Sequence, residues 1–220
     1  MTISTDDLLN SILESLDRIN HIKAEDIPNI DLYMDQVTTF MEQHMRQSTR
    51  NPDEDKILTK TMINNYAKNN LLPPPVKKKY SKEHVLVLIF IYYFKGILSI
   101  GDIQELLNPL TERFFGTESG LELEDIYNEV FSLEKEEVER LKTDVKDKFA
   151  ASADTFEAAS EKDREFLQKF SFICMLSFDV YIKKLLIEKM IDGMRMEKRA
   201  EADKEQKRAE AKKTEAKKTE

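Results

Sequence analysis

The side chains best suited to bind a polyanion lie close together in the sequence, between residues 59 and 80. Thr59 can cap a short helix that ends near Asn70, and this helix is rich in amide and basic side chains. An asparagine can pair with the edge of adenine through two hydrogen bonds, and a lysine can contact phosphate. The candidate contacts on this helix are Lys60, Thr61, Asn64, Asn65, Tyr66 and Lys68.

A stiff basic turn follows this helix. Three consecutive prolines at positions 73–75 prevent the helix from continuing and favour an extended backbone. Lys77, Lys78, Lys79 and Tyr80 come next. Three lysines alone are typical of a solvated turn, but their position beside an asparagine-rich helix favours contacts with phosphate that would fix a protein's register on a duplex.

The charge distribution supports a local binding surface. The whole chain carries a net charge of −8, yet residues 56–84 hold seven lysines and one carboxylate, that of Glu83. A basic patch on an acidic body is the expected electrostatic footprint of a polyanion-binding protein. The acidic remainder would repel DNA elsewhere and so restrict how the protein docks.

Other kinds of chemistry have little support in the sequence. His21, His44 and His84 show no metal-ligand spacing, and Cys174 lies in an apolar stretch that is typical of a core position. The sequence shows no grouping of Ser, His and Asp, no glycine-rich phosphate loop and no pair of catalytic carboxylates. We therefore expect no enzymatic activity, no metal and no cofactor.

The sequence also indicates a cytoplasmic protein. Asp6 and Asp7 stand where a signal peptide would carry positive charge. A single cysteine fits a reducing compartment. The most apolar segment, residues 85–94, is about half the roughly 20 residues that a membrane-spanning helix needs.

Composition predicts an all-α fold. Only 5 Gly and 6 Pro occur in 220 residues, and 35% of the residues are charged. Pro28 separates the first two predicted helices, and Pro109 is expected to close the unit that Ser99 begins. The spacing of apolar residues and the caps predict helices over residues 6–20, 31–45, 59–70, 81–96, 99–107, 121–132, 133–149 and 161–198.

The last of these helices has more apolar residues than one face can hold. Between residues 166 and 196 they cover more than a single stripe, which predicts a central helix or one buried by a partner. We expect a homodimer through this helix, with Leu185 and Met190 at the interface. The charged tail after Lys198 is expected to be transiently helical or disordered.

Three sequence segments resemble a known type of DNA-binding head. They are TKTMINNYAKNNLLPPP, KKYSKEHVLVLIFI and GILSIGDIQELL. Together they resemble the head of MerR-type regulators, and more closely a bacterial family of unknown function, number eighteen thirty-six. The resemblance covers residues 31–110. It implies a winged helix-turn-helix whose first helix is residues 31–45 and whose recognition helix starts after Thr59.

The resemblance also implies roles for individual residues. Asn64 stands where MerR heads usually carry an arginine that reaches DNA, and Tyr66 matches a tyrosine that contacts the phosphate backbone. Lys78 and Tyr80 match the Arg-x-Tyr of the wing. The lysine keeps the charge but loses the bidentate geometry of arginine. The loop at residues 47–55 is longer and more acidic than the tight turn of MerR heads.

Four segments are expected along the chain: an N-terminal amphipathic helix (1–30), a MerR-like DNA-binding domain (31–110), a helical dimerisation or effector module (111–198) and a charged low-complexity tail (199–220). The expected function is that of a homodimeric, sequence-specific regulator of transcription that binds double-stranded DNA. One alternative is a protein-interaction adaptor that keeps the MerR-like fold without DNA binding. Another is a phage-type antirepressor or excisionase-like architectural protein, against which the large C-terminal half argues.

Overall fold

A computed structural model of the chain describes residues 5–17, 21–46, 49–117 and 120–216, and these residues are mostly helical. The predicted all-α class is confirmed, with one short two-stranded sheet added. A short 3-10 helix at Ala24–Asp26 follows the first α-helix. The elements are α1 (Thr5–Asp17), β1 (Leu32–Tyr33), α2 (Met34–Met45), α3 (Lys60–Lys68), β2 (Lys79–Tyr80), α4 (Lys82–Phe94), α5 (Ile100–Phe114), α6 (Leu123–Ser132), α7 (Glu134–Ala153) and α8 (Glu161–Ala216).

The centre of the core is α4. All eight residues from His84 to Ile91 are buried, so this helix is covered on every side. Most of the other buried side chains belong to the same cluster, including Val37 of α2, Ile63 of α3 and Tyr127 of α6. A helix that is apolar all round needs such complete coverage to be stable in water.

Helix starts follow the predicted caps. The Thr59 hydroxyl accepts a hydrogen bond from the Met62 N–H at 3.2 Å, and the Ser99 hydroxyl accepts one from the Asp102 N–H at 3.2 Å. The Ser160 hydroxyl does the same for the N–H of Asp163 at the start of α8. These contacts satisfy donors that the first turn of a helix leaves without partners.

The predicted helix over residues 31–45 was wrong at its start. Leu32 and Tyr33 form β1, which pairs antiparallel with β2 so that Leu32 faces Tyr80 and Tyr33 faces Lys79. The helix begins only at Met34. The partner strand lies more than 40 residues away, so no local pattern could reveal the pairing.

The prediction that Pro109 ends a unit was also wrong. Pro109 lies inside α5, which continues to Phe114. Proline removes one backbone hydrogen bond from a helix interior. On the same helix, Leu107 is buried and Leu110 and Phe114 pack against the core, and this burial continues the helix through the proline.

The segment before β1 is fastened to the second half of the chain. The backbone N–H of His21 donates to a carboxylate oxygen of Glu134 at 3.0 Å. The Nδ1 atom of the His21 ring lies 2.6 Å from the same oxygen. The Tyr127 hydroxyl donates to the Ile22 carbonyl at 2.5 Å. The His21 ring stacks on Phe131 with centroids 5.1 Å apart. These contacts join residues more than 100 positions apart.

One side of α8 is covered by two other helices. Asp179 pairs with Lys148 of α7 at 2.6 Å. Further along, Arg195 pairs with Asp102 of α5 at 2.7 Å. Much of the rest of α8 is open, and eleven of its large apolar side chains are each more than half exposed: Phe166, Phe170, Ile173, Phe178, Val180, Tyr181, Ile182, Leu185, Leu186, Met190 and Met196.

Only some of the predictions for the two ends of the chain concern residues that the structure describes. The first predicted helix forms over Thr5–Asp17, while residues 18–20 lie outside the described residues. The tail takes the helical alternative, since α8 continues to Ala216, and its side chains at 199–209 are exposed. Residues 47–48 of the predicted acidic loop and 217–220 also lie outside the described part. Within the described residues no helix combines the length and apolarity that membrane crossing requires.

Candidate nucleic-acid interface

One face of α3 is polar and open to solvent. Lys60, Thr61, Asn64, Asn65 and Lys68 are all exposed, and their spacing places them on one side of a 3.6-residue helix. The opposite side is buried in the core. The structure therefore brings together five of the six candidate residues of this helix on one accessible surface.

Both ends of α3 are fixed. Its first turn is capped by Thr59. At its end, Asn70 has φ 56°, a left-handed conformation that suits asparagine after a helix, and the N–H of Leu71 donates to the Tyr66 carbonyl at 2.8 Å. The side-chain amide of Gln104 in α5 donates to the carbonyl of Asn69. A helix held in this way presents its exposed face in a defined orientation.

Lys60 has a partner on the neighbouring helix. Its ammonium group contacts a carboxylate oxygen of Asp35 in α2, and both side chains are more than half exposed. An exposed ion pair of this kind stabilises a protein by about 0–1 kcal/mol. Exchange of this contact for a phosphate oxygen would cost little.

The lysine turn, residues 76–79, is a tight hairpin. The Val76 N–H donates to the Lys79 carbonyl at 3.1 Å, and the Lys79 N–H donates to the Val76 carbonyl at 2.9 Å. The two central residues, Lys77 and Lys78, have φ values of 51° and 65°. This is the pattern of a two-residue type I′ turn, which normally carries Asn-Gly because both central residues need positive φ. Side chains with a Cβ are strained there.

The strained tip is where the charges are most accessible. Lys77 and Lys78 are exposed, whereas Lys79 is half-buried. The ammonium group of Lys79 lies 5.3 Å from the ring centroid of Tyr33, a cation–π contact across the small sheet. The structure therefore separates the three lysines into two exposed cations at the tip and one that stabilises the base of the turn.

The two tyrosines of the predicted site lie inward. Tyr66 is 6% exposed and Tyr80 is 3% exposed. Burial raises the pKa of both phenols, so each is neutral at physiological pH. Their rings belong to the core that supports α3 and the lysine turn. A phosphate contact through either hydroxyl remains a prediction.

His84 supports the site and was not identified as a functional residue from the sequence. Its Nδ1 accepts a hydrogen bond from the Ser81 N–H at 3.0 Å and lies 2.8 Å from the Ser81 hydroxyl. Tyr80 and Phe115 contact the imidazole edge-on. Burial lowers the pKa of His84, and the nearby Pro74 carbonyl and Asp31 carboxylate offset only part of that effect. The sequence feature that indicates this role is the three-residue spacing of Ser81 and His84, which suits a capping box with histidine in place of glutamate.

The long loop before α3 is held by two cations. The Arg46 guanidinium donates to the carbonyls of Pro52 and Asp55. The Lys95 ammonium donates to the Ile57 carbonyl at 2.5 Å, and burial lowers the pKa of Lys95. Ile57 and its neighbour enter the core. The loop that departs from the tight turn of MerR heads is therefore anchored on α2 and α4.

Comparison with known proteins identifies the region that holds this surface. Residues 22–130 match the family model described as "Domain of unknown function (DUF1836)". No curated protein and no solved structure matches the chain. The matched region runs from the segment before β1 to the last turn of α6, so it extends beyond residues 31–110 on both sides. It contains all ten candidate contact residues. Residues 22–130 are thus a DUF1836 domain, and the chain is a member of that family.

Proposed function

We propose that this protein binds double-stranded DNA in a sequence-specific manner and regulates transcription. In this proposal the DUF1836 domain carries a MerR-like winged helix-turn-helix, with α2 and α3 as its two helices and the lysine turn as its wing. The observation that carries the proposal is the lysine turn itself. Two lysines occupy positions where Asn-Gly would be less strained. Backbone strain that persists at an exposed, charged tip is a mark of functional selection.

The supporting geometry joins the turn to α3. Helix α2 contacts α3, β1 and β2, so the two candidate DNA-binding elements share one rigid support. Such a support would let the exposed face of α3 and the lysine tip engage one duplex together. Elements fixed in this way read DNA with a defined register.

The proposed contacts with DNA would be of two kinds, to base edges and to phosphates. Asn64 and Asn65 suit base edges in the major groove, where asparagine pairs with adenine. Lys60, Lys68 and the tip lysines suit phosphates, which position the protein without reading sequence. Thr61 can serve either role. Tyr66 and Tyr80 would contribute through their hydroxyl groups alone, because their rings are buried.

The direct test is the salt dependence of DNA binding. A variant with Lys77, Lys78 and Lys79 changed to Ala should bind both specific and random DNA more weakly. The slope of log affinity against log salt should fall in magnitude by about 0.9 for each phosphate that the variant no longer neutralises. Fluorescence anisotropy over a salt series, with operator fragments first obtained by selection from random duplexes, measures both quantities.

A matched variant controls for net charge. Lys135, Lys146 and Lys162 are exposed lysines of the acidic C-terminal half. Their replacement by Ala changes the net charge equally, and it should leave the salt slope unchanged. Equal slopes for the wild type and the Lys77–79 variant would remove the lysine turn from the proposal.

A protein-interaction adaptor is the second candidate function. The exposed apolar side chains of α8 and the net charge of −8 favour it, because both suit protein contacts better than contacts with a polyanion. A wild-type protein that passes through DNA and heparin columns at low salt would support the adaptor and contradict the DNA-binding proposal.

A further inference from the structure

A buried histidine lies at the base of the lysine turn and touches both of its arms. The imidazole of His84 is 3% exposed. On the arm that leaves the turn, the backbone N–H of Ser81 donates to Nδ1 at 3.0 Å. On the arm that enters the turn, the carbonyls of Pro73 and Pro74 lie close to the same ring. A change at this one ring therefore reaches both segments that hold the exposed lysine tip.

The hydrogen bonds determine the protonation state of the His84 ring. A backbone N–H can only donate, so the Nδ1 atom that faces the Ser81 N–H carries a lone pair, and a neutral ring then has its proton on Nε2. Among the described residues Nε2 is buried and makes no hydrogen bond of normal geometry, although the two proline carbonyls lie near the ring. His84 is also the third residue of α4, where the positive end of the helix disfavours a cation. The site therefore favours the neutral imidazole.

The groups around His84 compensate a positive charge only in part. The charged and titratable side chains on the surrounding elements are Asp31, Tyr80, Lys82, Glu83 and Glu124. Burial has the largest effect and lowers the pKa of His84, while the carboxylate of Asp31 and the proline carbonyls raise it. Glu83 is engaged by the N–H of Gly116 at 2.9 Å. Glu124 pairs with Lys82 at 2.8 Å. Burial raises the pKa of the Tyr80 phenol, which is therefore neutral, and the Phe115 ring on the side of α5 has no charge.

We propose that protonation of His84 releases the lysine turn, so that this residue acts as an acid-operated switch. A proton on Nδ1 ends the hydrogen bond with the Ser81 N–H, because both groups are then donors. The new Nδ1–H can donate to the Ser81 hydroxyl, which lies 2.8 Å away, so the ring stays in place. The backbone N–H is then left without an acceptor and turns toward water.

The released N–H directly follows β2, so its movement disturbs the turn. Lys79 and Tyr80 pair with β1, and this pairing fixes the lysine turn against α2 and thus relative to α3. A shift of Ser81 toward solvent pulls on that pairing from its C-terminal end. The tip lysines then lose their fixed position beside the polar face of α3. The consequence for DNA rests on the proposed function, whereas the release of the turn does not.

The switch acts against the general effect of acid on DNA binding. As the pH falls, carboxylates gain protons, the net charge of the chain becomes less negative, and the attraction to phosphates grows. Release of the turn instead removes contacts with phosphate. Because one proton is involved, the affinity of the wild type for DNA should fall by up to about tenfold per pH unit once His84 begins to titrate.

Nuclear magnetic resonance of the full chain tests the switch without DNA. The imidazole resonances of His84 report its protonation, and the backbone amide of Ser81 reports the hydrogen bond. Both should change with one midpoint below pH 6.5, and amide exchange at residues 79–81 should accelerate there relative to the buried residues 87–91 of α4. A Ser81 amide that does not follow His84 would overturn the proposal. So would a His84 that takes up its proton only when the whole chain unfolds.

Two variants assign the response to this histidine. His84→Gln keeps a side-chain carbonyl that can accept from the Ser81 N–H but cannot titrate, so amide exchange at residues 79–81 should keep a constant ratio to that of α4 between pH 7 and pH 5. His44→Gln removes an exposed histidine of α2 and should keep the wild-type response. The same acceleration in His84→Gln as in the wild type would contradict the proposal.

DNA titrations at constant ionic strength test the consequence for binding. Between pH 7 and pH 5 the affinity of the wild type should fall, whereas that of His84→Gln should stay level or rise. Equal pH dependence of the two affinities would overturn the link between the switch and DNA. Absence of DNA binding by both proteins at pH 7 would contradict the proposed function, and the resonance experiment would still decide the release of the turn.

Discussion

Among single residues, the two lysines at the tip of the lysine turn carry the most functional information. Their positive φ angles are a feature that the sequence does not signal, because Lys-Lys is not a favoured type I′ pair. The three prolines before them indicated a stiff turn but not its type. A tip built for stability alone would hold Asn and Gly. The lysines at this position therefore point to a need for charge.

Replacement of the tip by its favoured sequence should separate stability from binding. Lys77→Asn with Lys78→Gly should raise the free energy of unfolding by about 1–2 kcal/mol, since it relieves strain at two left-handed positions. The same variant should bind DNA more weakly. Urea denaturation and the DNA titration measure the two effects. Lys77→Ala with Lys78→Ala removes the same charges but keeps a Cβ at both positions, so it should weaken binding without any gain in stability.

A second residue-scale prediction concerns pH and His84. Burial lowers the pKa of His84 in the folded protein, so the unfolded chain binds more protons as the pH falls below the ordinary histidine value of 6.5. The stabilisation that neutral His84 contributes is fully present above pH 6.5. It is lost as the pH falls toward the pKa that His84 has in the folded protein. Because one proton is involved, the free energy of unfolding cannot change by more than about 1.4 kcal/mol per pH unit.

Comparison with a neutral variant isolates this effect. Between pH 7 and pH 5 the free energy of unfolding of the wild type should fall more steeply than that of His84→Gln, which has no proton to bind. Urea denaturation at several pH values gives both curves. Parallel curves would show that His84 does not titrate in this range and that the acid sensitivity arises elsewhere.

At the scale of elements, the orientation of α3 depends on its cap. The Thr59 hydroxyl accepts from the Met62 N–H, and a Thr-to-Ala change at such a cap costs about 1 kcal/mol. Thr59→Ala should therefore lower the free energy of unfolding by that amount and weaken DNA binding, because the first turn of α3 carries Lys60 and Thr61. Urea denaturation checks the stability. Thr59→Ser keeps the hydroxyl, and a loss of stability in that variant would argue against the cap.

The elements also show what the sequence could and could not predict. Thr59, Ser81 and Ser99 mark helix starts through contacts three residues away, and these starts were predicted correctly. The pairing of β1 with β2 and the continuation of α5 through Pro109 depend on distant partners, and both were missed. The polar face of α3 was predicted because it follows helical spacing. The inward position of Tyr66 follows the same spacing, three residues after the buried Ile63, whereas no local pattern decided the burial of Tyr80, since a tyrosine suits the core and the surface alike.

At the scale of the whole molecule, the packed body ends before the chain does. Lys198 of α8 is still joined to the body through its ion pair with Glu105 at 3.6 Å, whereas the side chains at 199–209 are exposed. Removal of residues 199–220 should therefore leave the melting temperature nearly unchanged. Differential scanning calorimetry of the shortened chain checks this. A drop of more than a few degrees would show that the tail packs on the body.

The fastening of His21 and Ile22 to α6 and α7 has a consequence for synthesis on the ribosome. Glu134 is translated 113 residues after His21 and Tyr127 is translated 105 residues after Ile22, so the first segment made must wait for its binding site. At about 5–20 residues per second this delay lasts roughly 6–23 s. Throughout that interval the segment at His21 and Ile22 lacks the partners that hold it in the folded protein. The earliest part of the domain to leave the ribosome is thus among the last to dock, and this interval is when a chaperone would have the most to bind.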